Sequence, residues 1–374
     1  MTTPRLTWRW VGLAVVAVAL ALDLWHDRGY NGADFHTYLA AAIVGLEQGW
    51  SHIYDQALVA VEQTQLVSNQ PSQPFISPPT VAWLVTPLTL FPFWTAFAVW
   101  AAITFAALGA AFAWSGVSTG TGRWIAVIAA LAPWWVIYAV NRGQVVPLVA
   151  AGVVVAWRLL REEKDIAAGI ALSLIFLKPN TAILAPFALL AAGRYRAFGA
   201  WLAAGGVLAV ITALTLGSHG MSAYMNELRG PLPSGADWLT LNGAVGATGI
   251  AASLLRVLIV GIVLVTAFKL RPSRGLVLPL AIVGSLIVAP YLHASDLCLL
   301  SAAAWIVWEE RTSPAWRVPL AAGWILASPF LVVAGFSPNL NRWPLLEYIL
   351  LVALVVLAWR PLTGMADLRT RAPA

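Results

Sequence analysis

Thirteen apolar runs separated by short polar breaks make up most of this chain: 10–27, 79–91, 93–114, 124–140, 144–161, 165–177, 180–193, 197–216, 250–268, 275–291, 296–308, 315–335 and 343–359. A membrane-crossing helix needs about 20 apolar residues. The longer runs meet that length, whereas the shortest have only 13 or 14 residues. Short runs predict helices broken at the outer leaflet, where irregular backbone survives only along a protein-walled or watery cavity. Two basic ends on one side of a membrane require an even number of crossings. One run is therefore expected to merge or re-enter, within 79–140, which Phe91, Pro92 and Pro133 interrupt. The expectation is an all-α polytopic membrane protein of about twelve transmembrane helices, in a single domain over 1–374.

Two longer polar stretches interrupt the pattern. The first, residues 28–78, has helical periodicity of its own, with Leu39, Ile43, Leu46 and Trp50 on one stripe and Tyr54, Leu58, Val61 and Leu66 on another. It predicts amphipathic helices on the membrane surface in a first extracytoplasmic loop. The second, 217–242, is expected to form another such loop. Arg5, Arg9, the run Val11 to Leu22 and the small residues Ala19 and Ala21 resemble a signal peptide,. Because that run extends toward Trp25 and further spans follow, an uncleaved first span is expected.

Composition excludes the soluble classes: 60% of residues are apolar, 10% are charged and mean hydropathy is +0.80, against roughly a quarter charged in soluble domains. A net charge of +6 suggests nucleic acid until the cations are located. Fifteen of the 22 Lys and Arg residues lie in six short stretches: Arg5 and Arg9; Arg158, Arg161 and Lys164; Arg194 and Arg196; Lys269, Arg271 and Arg274; Arg311 and Arg317; and Arg360, Arg369 and Arg371. This is the positive-inside pattern of cytoplasmic turns. It predicts cytoplasmic termini and no nucleic-acid partner. On that topology His26, His36, His52, His219 and His293 all face the other, extracytoplasmic side. The single Cys298 allows no internal disulfide and reads as an inert buried thiol,.

The few remaining polar residues recur at the outer mouths of helices: Asp34, Arg142, Gln144, Lys178, His293 and Asp296. Ionisable groups near membrane depth are costly unless they pair or line a wet cavity, so they point to one shared site. Asp34 opens a helix, where it reads as an N-cap or as a general base aimed into a cavity. Lys178, before Pro179 and Asn180, either snorkels to headgroups or binds a phosphate. Asn141, Arg142, Gly143 and Gln144 form a polar turn. Arg256 lies in the outer half of its run and is expected to pair with Asp237, Asp296 or a bound phosphate. His293 and Asp296, three residues apart, either share a helix face and hydrogen-bond, which would raise the imidazole pKa, or are a capping Asp beside an interfacial His. One His and one Asp fall short of the three ligands of a catalytic zinc, so no metal is expected. No P-loop, GxGxxG, HExxH or Asp-x-Asp occurs,, which leaves soluble nucleotide chemistry unsupported.

Asp34, Phe35 and Tyr38; Ser77, Pro78 and Pro79; Pro87, Leu88 and Pro92; Gly143 and Gln144; Lys178 and Pro179; and His293 with Asp296, in that order, resemble glycosyltransferase family 87. That is a family of GT-C-fold membrane transferases using polyprenyl-phosphate mannose. The resemblance implies an inverting transfer of a sugar, mannose by analogy, from a polyprenyl-phosphate donor to a lipid or glycan acceptor. It needs no cofactor or divalent metal and works on the extracytoplasmic face of the plasma membrane. It implies catalytic roles for Asp34 and His293 and places Lys178 and the Asn141 to Gln144 turn, with Arg142 and Gln144, near the donor phosphate. Beyond the resemblance, Arg256 is expected to join in binding that phosphate, and Asn141, Asn180, Asp296 and Tyr38 are expected to contact the substrates. A transporter or lipid-linked sugar flippase is the competing class, although such proteins often carry internal repeats and none is visible here. A lipid-carrier ligase or polymerase is a third.

Overall fold

Proline and glycine cut the apolar runs into helices that are often shorter than a membrane is thick. A computed structural model describes residues 31–117, 120–230, 239–241, 249–310, 314–327 and 343–359, with scattered positions between Trp10 and Trp25. Most of the expected first span, His26, Asp237 and the terminal arginines lie outside the described residues. Among those residues all regular structure is helical. The α-helices are α1 (Ala33–Glu47), α2 (Gln56–Leu66), α3 (Pro79–Val85), α4 (Phe93–Ser115), α5 (Gly120–Leu131), α6 (Trp134–Arg142), α7 (Val146–Arg161), α8 (Asp165–Leu172), α9 (Leu184–Ala191), α10 (Tyr195–Arg229), α11 (Gly249–Lys269), α12 (Val277–Val288), α13 (Cys298–Glu310), α14 (Pro314–Leu326) and α15 (Trp343–Trp359), with 3-10 turns between several of them.

By length and composition α4, α10 and α11 can each cross a membrane. The expected span 124–140 is instead two helices, α5 and α6, bent by 60° at Pro133. Proline cannot donate to the helix ladder and restricts the residue before it, so the chain breaks there. Together the pair could supply a fourth crossing. α3 with its 3-10 extension, α8 with its extension 173–177, and α12 are apolar but shorter. α10 continues to Arg229 past a break at Gly217, so the expected second loop begins as helix.

The first polar stretch corrects the expectation of helices lying on the membrane surface. α1 is enclosed over most of its length, with Phe35, Ala40, Ala41 and Ala42 fully buried, and only its last residues, Leu46 and Glu47, are exposed. Its small residues let α2, α3 and α6 approach closely. Around α2 the predicted stripe is split, with Tyr54 buried, Leu58 and Leu66 packed partly against the core and Val61 53% exposed, while Val59 and Gln63 face inward. Gln63 uses both ends of its amide on an irregular segment: Oε1 accepts from the Gln73 N–H at 2.9 Å and Nε2 donates to the Gln73 carbonyl at 2.7 Å. Gln56 does the same to Phe75, at 2.9 and 3.2 Å. These side chains supply the pairing that a strand would otherwise give the backbone.

The molecule has two chemically distinct ends. α7 runs from the 141–144 turn to Arg158 and Arg161, and α12 and α13 join the 291–296 segment to the other end. At that second end Arg161 lies 3.8 Å from Glu310, Trp157 Nε1 donates to Glu310 at 3.0 Å, Arg194 pairs with Glu163 and Asp165 at 2.7 and 2.8 Å, and Arg271 Nε donates to the Ala191 carbonyl at 3.1 Å. The basic turns therefore gather on one side and the candidate site on the other.

Gln63→Ala should lower stability in detergent by about 1–3 kcal/mol, because the Gln73 N–H loses its partner. Thr64→Ala, one residue on and exposed, should stay within about 0.5 kcal/mol. Equal thermal-unfolding shifts for the two variants would refute the clamp.

Candidate active site

Two glycines hold the start of α1 against the 141–144 turn. Gly143 ends α6 at φ 72, a left-handed conformation that side chains resist,. A Cβ there would also fall 2.5 Å from the Cβ of Phe35. The Gly143 carbonyl accepts from Trp100 Nε1 at 2.8 Å, and the Gly32 N–H donates to the Asn141 carbonyl at 2.8 Å. Gly32, at φ 69, is the residue that caps α1. The N-cap reading of Asp34 therefore fails: it sits one position inside the helix, half-buried, and accepts no side-chain hydrogen bond among the described residues. Its charge instead acts on Tyr38, Lys178 and His293.

Lys178 does not snorkel. It is 9% exposed, and its Nζ lies 2.6 Å from Asp296 Oδ1 and 3.1 Å from Gln144 Oε1. The Tyr38 hydroxyl donates to the same Gln144 oxygen at 3.2 Å. Burial alone would depress the Lys178 ammonium, but Asp296, with help from Tyr291 and Asp34, holds it above the ordinary lysine value. The turn after Pro179 is fixed by Thr181 Oγ1 donating to the Lys178 carbonyl at 2.8 Å and by Asn180 Nδ2 donating to the Tyr291 carbonyl at 3.2 Å. Asn180 thus ties the two connections together.

Of the two readings of His293 and Asp296, the capping Asp is the one found. The His293 backbone N–H, not its ring, donates to Asp296 Oδ2 at 2.9 Å, and the carboxylate faces Lys178. Burial and the nearby Lys178 charge lower the His293 pKa from its ordinary 6.5, with Asp296 and Asp34 opposing. The ring is therefore neutral at pH 7, opposite to the shift expected from a His–Asp pair.

Asp34, Tyr38, Gln144, Lys178, Asn180, His293 and Asp296 come together at one mouth. Asn141 is buried beneath it, its carbonyl engaged by Gly32. Arg142 is half-buried with its guanidinium 4.8 Å from the centre of the Tyr138 ring. Arg256 is less central. It lies on α11, whose Val263 meets Gly284 of the neighbouring α12, so in this antiparallel pair Arg256 falls near the level of Tyr291. Of its expected partners, Asp237 lies outside the described residues and the Asp296 carboxylate is engaged by Lys178. Sequence reasoning passed over Tyr291 and Tyr224, both half-buried beside the site. Tyr291, directly after Pro290 at a helix end, carried the same signal as His293.

Breaking the buried pair from one side should be costly. Asp296→Ala should lower stability by about 3–5 kcal/mol, whereas Lys178→Met with Asp296→Leu should recover most of it. Thermal unfolding decides, and a double variant as unstable as the single one would contradict a dominant electrostatic penalty. Acid offers a second reading. Because the folded-state His293 resists protonation, the unfolded chain binds more protons as pH falls through about 6.5. Wild-type stability should fall below that pH and His293→Gln should lose less; parallel curves would sink this assignment.

A model of glycosyltransferase family 87 matches residues 75–329. The match takes in Asn141, Arg142, Gln144, Lys178, Asn180, Arg256, His293 and Asp296, and begins after Asp34 and Tyr38. No curated protein and no solved structure matches the chain.

Proposed function

The chain belongs to glycosyltransferase family 87, and from that premise we propose that it moves a sugar, mannose by family resemblance, from a polyprenyl-phosphate donor to a lipid or glycan acceptor. It is a membrane-embedded glycosyltransferase. The observation that carries the finer reading is the convergence of one half-buried carboxylate without a hydrogen-bond partner among the described residues, Asp34, on the buried Lys178–Asp296 pair.

In the proposed reaction Asp34 takes the proton of an acceptor hydroxyl as that oxygen attacks the anomeric carbon. The bond from that carbon to the phosphate oxygen breaks on the opposite face, and its electron pair leaves with polyprenyl phosphate. A single carboxylate serves one displacement with inversion, whereas retention uses a second carboxylate as nucleophile. An ammonium has three N–H donors. Lys178 is ion-paired with Asp296 and donates to Gln144, and we assign a further N–H to the departing phosphate. The ion pair is neutral as a unit, and we assign the balancing of donor charge to Arg142 and Arg256 as well. His293, neutral, supplies a hydrogen-bonding group at the reaction centre, and Tyr38, Asn141 and Asn180 position the substrates. No divalent metal enters this reading.

An apolar cavity of about 310 Å³ supports a lipid-linked donor. It is lined by Trp135, Trp305, Trp308, Pro319 and Trp324 among others, and its Ser301 hydroxyl is already engaged by Trp135 Nε1 at 2.9 Å. Ser301 lies five residues past Asp296, about 7 Å along the helix. A hydrocarbon chain leading away from a phosphate at Lys178 has this wall to follow. We read the shorter helices as further crossings, giving about twelve in one GT-C-like domain. The basic end is then cytoplasmic and the site lies on the extracytoplasmic face of the plasma membrane.

With purified protein, polyprenyl-phosphate mannose and a lipid extract, Asp34→Asn should abolish transfer. Lys178→Ala should slow it by about 100- to 1,000-fold, as loss of one anion-stabilising contact does elsewhere. An Asp34→Asn defect equal to or smaller than that of Lys178→Ala would remove Asp34 from the base role. Donor binding without any transfer by wild type would favour the flippase reading.

A further inference from the structure

Two arginines flank one end of the tryptophan-lined cavity. α5 and α14 both pack on α13, and the three helices form most of the cavity wall. The indole N–H of Trp324 on α14 donates to the Ala129 carbonyl on α5, which sets the register of those two helices. Both begin at the basic end of the molecule: α14 follows α13, which finishes at Glu310, and the Val117 N–H just before α5 donates to Glu309 at 2.8 Å. Arg123 stands six residues before Ala129, and Arg317 seven before Trp324. At 1.5 Å per residue each lies roughly 10 Å below that contact, so the two share a level near the basic end. Trp308 of α13 is there as well, since the Arg317 guanidinium lies 4.5 Å from the centre of its ring.

Neither arginine has a carboxylate partner among the described residues. Arg123 Nη2 donates to the Trp114 carbonyl at 3.4 Å, and the Nε of each is buried without a hydrogen bond among those residues. Other cations of this end differ, because Arg158, Arg161, Lys164 and Arg194 are all paired with Glu or Asp. A guanidinium keeps its charge, and leaving a charged donor buried and unmatched is costly. An arginine near a membrane face ordinarily extends to the headgroups beside its own helix. Here two frame a single cavity, in which Ala126, Ala129, Ala304 and Ala321 leave room along apolar walls. Hydrocarbon space with cations at its rim matches an amphiphile that carries an anionic head.

We propose that this end of the cavity binds an anionic phospholipid from the leaflet at the basic end. One acyl chain lies along Trp305 and Trp308, and Arg123 and Arg317 hold the phosphate. Guanidinium groups meet phosphate oxygens through paired N–H donors, a geometry that lysine lacks. The other end, from Ser301 toward Trp135, stays open to the chain of a lipid-linked donor, so the phospholipid site does not depend on the transferase reading.

Native mass spectrometry of the full protein, titrated in detergent with phosphatidylglycerol or with phosphatidylcholine of identical chains, tests this without catalysis. Wild type should bind phosphatidylglycerol on the order of tenfold more tightly than phosphatidylcholine. Arg123→Gln and Arg317→Gln should each weaken phosphatidylglycerol about fivefold, whereas Arg196→Gln, at an exposed cation of the same end, should change it by less than about twofold. Ala304→Leu, which fills the cavity, should weaken both lipids and keep the preference between them. Arg317→Lys retains the charge and should keep most of that preference, which covers the case of a Gln variant that does not fold. Equal affinity of wild type for the two lipids, or phosphatidylglycerol binding untouched by Ala304→Leu, would overturn the site. Arg196→Gln as damaging as Arg317→Gln would also overturn it, leaving only general attraction to the basic end. Sugar transfer is not read, so failure of the transferase reading would leave each of these outcomes decisive.

Discussion

A buried ion pair, Lys178 with Asp296 at 2.6 Å, is the interaction on which the arrangement of this protein turns. Taking two charges out of water is expensive, and attraction between them compensates only when geometry is good and further hydrogen bonds complete the shell. Here the shell is Gln144 on the ammonium and the His293 N–H on the carboxylate. Each comes from a different inter-helix connection, so the pair requires the 141–144, 178–181 and 291–296 segments to meet. The start of α1 is then drawn in through Gly32 and Gly143, bringing Asp34 with it.

The pair leaves an asymmetric arrangement of charge. On one side stands Asp34, a carboxylate with no hydrogen-bond partner among the described residues; on the other is an ammonium whose charge Asp296 balances. That polarity suits a reaction in which a proton leaves one substrate while negative charge builds on another. An ammonium already anchored by Asp296 and Gln144 need not reorganise as that charge develops, which is the condition under which electrostatic stabilisation is most effective. The tryptophan-lined cavity beginning at Ser301 adds an apolar path beside the polar centre.

Much of this was legible in the sequence, for a physical reason. In a chain this apolar each polar residue stands out, so Asp34, Gln144, Lys178, His293 and Asp296 could be singled out from position alone. Their partnerships could not. Lys178 and Asp296 are distant in sequence, and local spacing left a His293–Asp296 side-chain pair and a capping Asp296 equally open, of which the structure has the cap. The periodicity of 28–78 suggested surface helices because Ala33, Ala40, Ala41, Ala42 and Gly45 carry little hydrophobic signal, although their smallness is what lets α1 be enclosed. The apolar runs located the helices well but overstated their continuity. Pro133 splits one run into two helices, and another continues past Gly217 as helix rather than as a loop.

The most direct test of a single displacement at Asp34 is the stereochemistry of transfer. Polyprenyl-phosphate mannose carrying ¹³C at C1 would be incubated with the purified protein and a lipid extract, and the one-bond C–H coupling of the product's anomeric carbon measured. Inversion relative to the donor is the predicted result. Retention would require a second carboxylate acting as nucleophile and would contradict the account.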